Sequence, residues 1–120
     1  MPRFDLPLEE LLTYRPPVRE PADFEAFWAE TIGEARAVGA AASSELLEGH
    51  LRDVEIRDVR FPGFGGEPVA AWLLVPRGLD GPAPAVVQYL GYGGGRGLPY
   101  DNCLWACAGF VQLVMDTRGQ

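Results

Sequence analysis

Between Leu90 and Leu98 the chain reads GYGGGRG, with Tyr92 and Arg96 set among five glycines. Glycine loses more conformational freedom on folding than any other residue, so such a cluster marks a place where bare backbone is required. Three demands fit: cradling a phosphate, holding a developing oxyanion, or letting chain segments pack closely. A dinucleotide fingerprint wants glycines at i, i+2 and i+5. Counting from Gly91 puts Arg96 in the third place, and counting from Gly93 puts Leu98 there. A P-loop ends in Gly-Lys-Ser/Thr, and the chain has no lysine. Nucleotide binding is set aside, leaving an oxyanion donor loop or a tight turn.

The remaining chemistry-bearing residues are few. Ser43 and Ser44 are the only serines, and no G-x-S-x-G is present. His50 is the only histidine and reads as a surface or satisfied polar residue, since no triad partners stand near it. Cys103 and Cys107 lie four apart, a helical spacing that does not suit a disulfide. Two such residues with one distant histidine fall short of a metal site, so no metal is expected, and they read as buried free thiols.

The elements that would position these residues follow from the hydrophobic pattern. Asp5 to Tyr14 predicts a short helix capped by Asp5, with Leu8, Leu11 and Leu12 on one side. Pro21 opens a stronger helix, whose stripe of Phe24, Phe27, Trp28, Thr31, Ala35 and Val38 is expected to pack in the core. Residues 39–44, GAAASS, read as a loop. From Arg52 the period becomes two. Val54, Ile56, Val59 and Phe61 predict a strand with an irregularity near Asp58, and Val69–Val75 predicts its antiparallel return after the turn cluster PGFGGEP. Ala85–Leu90 and Phe110–Met115 are apolar runs of the kind buried on both faces of a parallel sheet. Between them lie the glycine loop and a helix capped by Asp101, carrying Cys103, Trp105 and Cys107 and ended by Gly109. That is a βαβ unit, for which a right-handed crossover is expected.

The 120 residues are 48% hydrophobic and 22% charged, an ordinary globular composition. Net charge is −7, which argues against a nucleic-acid surface. Residues 1–60 carry 7 Arg and 13 acids, against 3 Arg and 4 acids in residues 61–120, so the first half reads as solvated skin and the second as interior. No apolar run has the length of a membrane span, and MPRFDLPLEELL has acids where a signal peptide needs its apolar stretch. A cytoplasmic setting without nucleic-acid or membrane partners is expected.

Hairpin, buried strand, glycine loop, helix and strand form the order in which α/β-hydrolases place one oxyanion donor, in the loop after the third strand. Here YLGYGGGRG, the helix after it and VMDTRGQ together resemble the acetyl xylan esterase and cephalosporin-C deacetylase family, carbohydrate esterase family seven. The opening FDLPLEELLTYRPPVREPADFEAFW and the hairpin FPGFGGEPVAAWLLVPRG are similar to that family as well. The resemblance implies an α/β fold, with residues 1–120 the N-terminal part of one α/β-hydrolase domain. Residues 1–44 would be a helical extension, and 45–120 the first strands, the oxyanion loop and the first helix.

It further implies a carboxylic ester hydrolase that removes acetyl groups from acetylated xylo-oligosaccharides, cephalosporin C and similar esters. Such enzymes use a Ser-His-Asp triad and no cofactor, and assemble as homo-oligomers, commonly hexamers. By position Tyr92 would supply a backbone N–H to the oxyanion hole. Gly91, Gly93 and Gly94 would border the substrate and give the loop its positive φ angles. Arg118, Gly119 and Gln120 match a family motif taken as structural. Arg96 is read as a structural ion pair rather than a substrate ligand. Asp116 follows a strand, as a triad acid does, but the family's acid comes after its serine.

The triad is therefore expected beyond these residues, and the 120-residue chain alone is expected to be inactive. With an apolar sheet edge open it should also be poorly soluble or partly molten. Two alternatives stand beside this reading. One is a different α/β-hydrolase, peptidase or lipase-like. The other is a non-catalytic module binding a sugar or partner through Tyr92, Tyr100 and Trp105.

Overall fold

The computed structural model describes residues 5–39 and 41–117. Five strands form one sheet in the order β1-β2-β3-β5-β4: β1 (Ser43–Leu46), β2 (Val54–Pro62), β3 (Pro68–Pro76), β4 (Ala85–Tyr89) and β5 (Val111–Met115). The first three strands and β5 pair antiparallel in that order, while β4 lies parallel to β5. The hairpin and the strand–loop–helix–strand unit are thus both present, and β5 sits between β3 and β4.

In β2 the expected irregularity near Asp58 is absent. Pairing with β3 runs unbroken from Val54↔Pro76 to Pro62↔Pro68. The break in period is a change of buried face. Val54 and Ile56 are buried on one side and Val59 on the other, as alternating side chains require. Asp58 shares the face of Val54 and Ile56, and its opposite number on β3 is Trp72.

Residues 43 and 44, read as loop, begin β1. All four residues of that strand are exposed, so an edge strand with no apolar face left no alternation to detect. Backbone pairing to β2 holds it, with Arg57 reaching the Ser44 hydroxyl at 3.4 Å.

The core lies on the face carrying Val54, Ile56, Leu74 and Val114, closed by Ala106. Ala106 belongs to α3 (Leu104–Cys107), which is shorter than expected. Cys103 is its cap residue, and Asp101 instead accepts the Leu98 N–H at 3.0 Å. The C-terminus behaves as anticipated. Gly109 has φ +93°, and the Phe110 and Gly109 N–H groups donate to Trp105 O and Ala106 O. This is a Schellman stop, which needs a left-handed residue that glycine supplies without strain.

Several packing expectations fail. The aromatic stripe of α2 (Phe24–Ala37) is not in the core: Phe24, Phe27 and Trp28 are exposed and pack edge-to-face on one another, 5.5 and 6.4 Å between centroids. A helical period shows that a face wants cover, not what covers it. Helix α1 (Leu8–Thr13) starts from Pro7, with Asp5 bonding the Leu6 N–H and Leu8 and Leu12 exposed. Strand β4 is paired on one side among the described residues, and Val87 and Tyr89 are exposed, so it is not buried on both faces here. In β5, Gln112 and Val114 are buried while the alternate residues are half-buried. Gln112 donates to Gln88 Oε1 at 3.1 Å, satisfying half of a buried amide.

Candidate functional site

The glycine loop leaves the C-terminal end of β4 and folds back towards the sheet. Its tip is a turn in which the Gly94 N–H donates to Gly91 O at 3.1 Å. Gly93, third in that turn, has φ +76°, the value a type II turn demands there. Gly91 and Gly94 do not have positive φ, so the expectation for those two is corrected. Neither is required by close packing: a Cβ on Gly94 would make ordinary contact with Gly91 O at 3.4 Å, and one on Gly91 would meet nothing within 4 Å. Tyr92, second in the turn, is fully exposed, and its N–H has no acceptor among the described residues.

The returning half of the loop is held tightly. The Arg96 guanidinium places Nη1 2.8 Å from Asp58 Oδ1 and 3.0 Å from Ala71 O. Its Nε lies 3.3 Å from Asp116 Oδ2, and the Arg96 N–H donates to Oδ1 of the same carboxylate. The ring of Trp72 lies under the guanidinium, 3.7 Å from carbon to centroid, and Trp72 Nε1 donates to Gly97 O at 3.0 Å. Asn102 Nδ2 donates to Arg96 O at 3.3 Å.

Arg96 is therefore the ion-paired residue expected, and Asp116 is engaged with it rather than standing as a free acid. Asp58 and Trp72 were not legible as site residues. Their signal was the polar residue interrupting the apolar face of β2, and a tryptophan opposite it on β3.

The other candidates are dispersed. His50 is exposed. Tyr100 lies over Gly49, where a Cβ would come 2.8 Å from its hydroxyl, and Trp105 is partly exposed with its ring against Phe110, not in the core. Cys107 is exposed and Cys103 half-buried, so the pair is not buried as expected. Burial, with Cys107 and Asp101 nearby, pushes the Cys103 thiol above its ordinary value. Arg118, Gly119 and Gln120 lie outside the described residues. Among the described residues no helix is long and apolar enough to cross a membrane.

The profile of the acetyl xylan esterase family matches residues 1–120. The chain belongs to the acetyl xylan esterase family. Two solved members superpose on it closely. The acetyl xylan esterase from Paenibacillus sp. R4 is 33% identical with a TM-score of 0.84, the match covering 96% of this chain and 37% of that one. Acetyl xylan esterase 1 from Thermoanaerobacterium sp. JW/SL YS485 is 30% identical with a TM-score of 0.85, covering 98% and 37%. The chain thus spans a little over a third of the length of these acetyl xylan esterases. Its mixed sheet with flanking helices corresponds to the N-terminal portion of the α/β-hydrolase fold.

Proposed function

We propose that the protein is an acetyl esterase acting on acetylated xylo-oligosaccharides, cephalosporin C and similar small esters. Its Ser-His-Asp triad is supplied by residues following these 120. In this reading the helical residues before β1 are an N-terminal extension of the α/β-hydrolase domain, and the expected boundary after residue 44 moves back to the start of β1 at Ser43. The setting is cytoplasmic, the assembly a homo-oligomer of the hexameric kind, and the chemistry needs no cofactor.

One observation carries the proposal. Among the described residues the Tyr92 N–H has no acceptor, and it lies at the tip of a turn leaving a parallel strand, where an α/β-hydrolase needs its first oxyanion donor. Charge developing on the acyl oxygen would accept that N–H, and one such donor contributes about 2.7–4 kcal/mol of transition-state stabilisation. Gly91, Gly93 and Gly94 keep side chains away from the incoming ester. The exposed Tyr92 ring would wall a small acyl pocket.

The test is steady-state hydrolysis of 4-nitrophenyl acetate and longer acyl esters by the complete gene product. Acetate should be the preferred acyl group; a preference for long acyl chains or for peptides would move the protein to another hydrolase class. Because the donor is backbone, Tyr92→Pro removes it while Tyr92→Phe does not. The proline variant should lose about a hundredfold in kcat, and equal effects of the two would refute the assignment. The sugar-binding alternative draws no support from the geometry, since Tyr100 and Trp105 are engaged with different neighbours.

A further inference from the structure

The hydrogen bonds of the glycine loop are unevenly distributed. From Gly91 to Gly94 the loop has its own turn bond and no other among the described residues. From Arg96 onward nearly every polar group is tied to something else. The Arg96 N–H and side chain meet Asp116, its carbonyl accepts from Asn102, and the Gly97 carbonyl accepts from Trp72. The guanidinium then reaches Asp58.

These anchors come from different strands. Asp58 is on β2, Trp72 opposite it on β3, and Asp116 follows β5 directly. Trp72 is also registered against Val114 of β5, so the cluster spans the sheet beside the loop.

We propose that Arg96 is a positioning residue for the Tyr92 N–H. By tying the returning half of the loop to β2, β3 and β5 at once, it gives the donor a fixed direction before substrate arrives. This rests on the acetyl-esterase reading above. An oxyanion donor is effective because it is preorganised, and a misplacement of about 1 Å can cost a hundredfold in rate. A strand-to-helix turn alone needs a glycine and a cap. Three part-buried charges are a costly way to hold one, because desolvation offsets much of their attraction. A planar fork that bonds two carboxylates while stacking on an indole also fixes orientation in a way lysine cannot.

The experiment uses the complete gene product with 4-nitrophenyl acetate as probe, assayed well below each variant's melting temperature. Arg96→Lys and Asp116→Asn should lower kcat by at least about tenfold with KM changed by less than about twofold, since the lost interaction acts in the transition state. Millimolar methylguanidinium should restore part of the kcat of Arg96→Ala. Unchanged kcat per folded enzyme, with a lowered melting temperature alone, would overturn the proposal. Should the Arg96 variants fail to fold, Trp72→Phe decides. It keeps an aromatic ring and removes the Nε1 bond to Gly97, so kcat should fall and an unaltered kcat would overturn the proposal. The underlying reading fails separately, if the wild type does not cleave the acetate or if Tyr92→Pro retains full kcat, and the positioning role then falls with it.

Discussion

The Arg96 guanidinium lies over the Trp72 ring at 3.7 Å while its edges reach Asp58 and Asp116. A planar cation can stack on its face and hydrogen-bond around its rim at the same time. One residue of a glycine-rich loop is thereby joined to three strands. The tip of the loop stays open, and the stem does not.

The two loop glycines nearest Tyr92 should respond differently to a methyl group. Gly93 holds φ +76° in open space, so Gly93→Ala meets backbone strain of about 1–2 kcal/mol. Gly91 has neither positive φ nor a neighbour within 4 Å, and Gly91→Ala should leave stability unchanged. Urea denaturation midpoints of the two variants in the complete gene product check this, and equal shifts would contradict the turn geometry.

Leu74 is fully buried between Ile56 on one strand and Gln112 on the next. Leu74→Ala removes methyl groups from a site that backbone pairing on both sides keeps from collapsing. A loss of about 2–5 kcal/mol is expected, read as a fall in the denaturation midpoint at unchanged m-value.

The two thiols should be chemically distinct. Cys107 is exposed, while burial raises the Cys103 pKa above its ordinary 9.0. At any pH below that value Cys103 holds less thiolate, so iodoacetamide should label Cys107 first, as mass spectrometry after timed quenching would show. A raised thiol pKa also means the folded state prefers the protonated form. That contribution to stability is complete below pH 9.0 and declines as pH rises through the folded value.

Residues 1–120 expressed alone should behave as an incompletely packed sheet. Val87 and Tyr89 are exposed on β4, and among the described residues no strand pairs with its outer edge. Such an edge is an aggregation template. Dye binding to exposed apolar surface and a broad thermal transition are expected, together with no hydrolysis of 4-nitrophenyl acetate. A sharp cooperative melt of a monomer would contradict the expectation.

The features legible from residue order alone were local. The hairpin, the βαβ order and the Gly109 stop follow from alternation, apolar runs and a left-handed requirement, each confined to a few neighbouring residues. The glycine loop was legible for the same reason. Tertiary structure decided everything that needs two distant segments. It made β1 from Ser43–Leu46, which has no apolar face and exists through pairing to β2. It turned the apparent flaw at Asp58 into an anchor for Arg96, 38 residues away. It left the α2 aromatics exposed, although their spacing asks for cover. Periodicity records which side chains avoid water. Which partner meets them, and which carboxylate closes on which arginine, is set when strands far apart in sequence come into register.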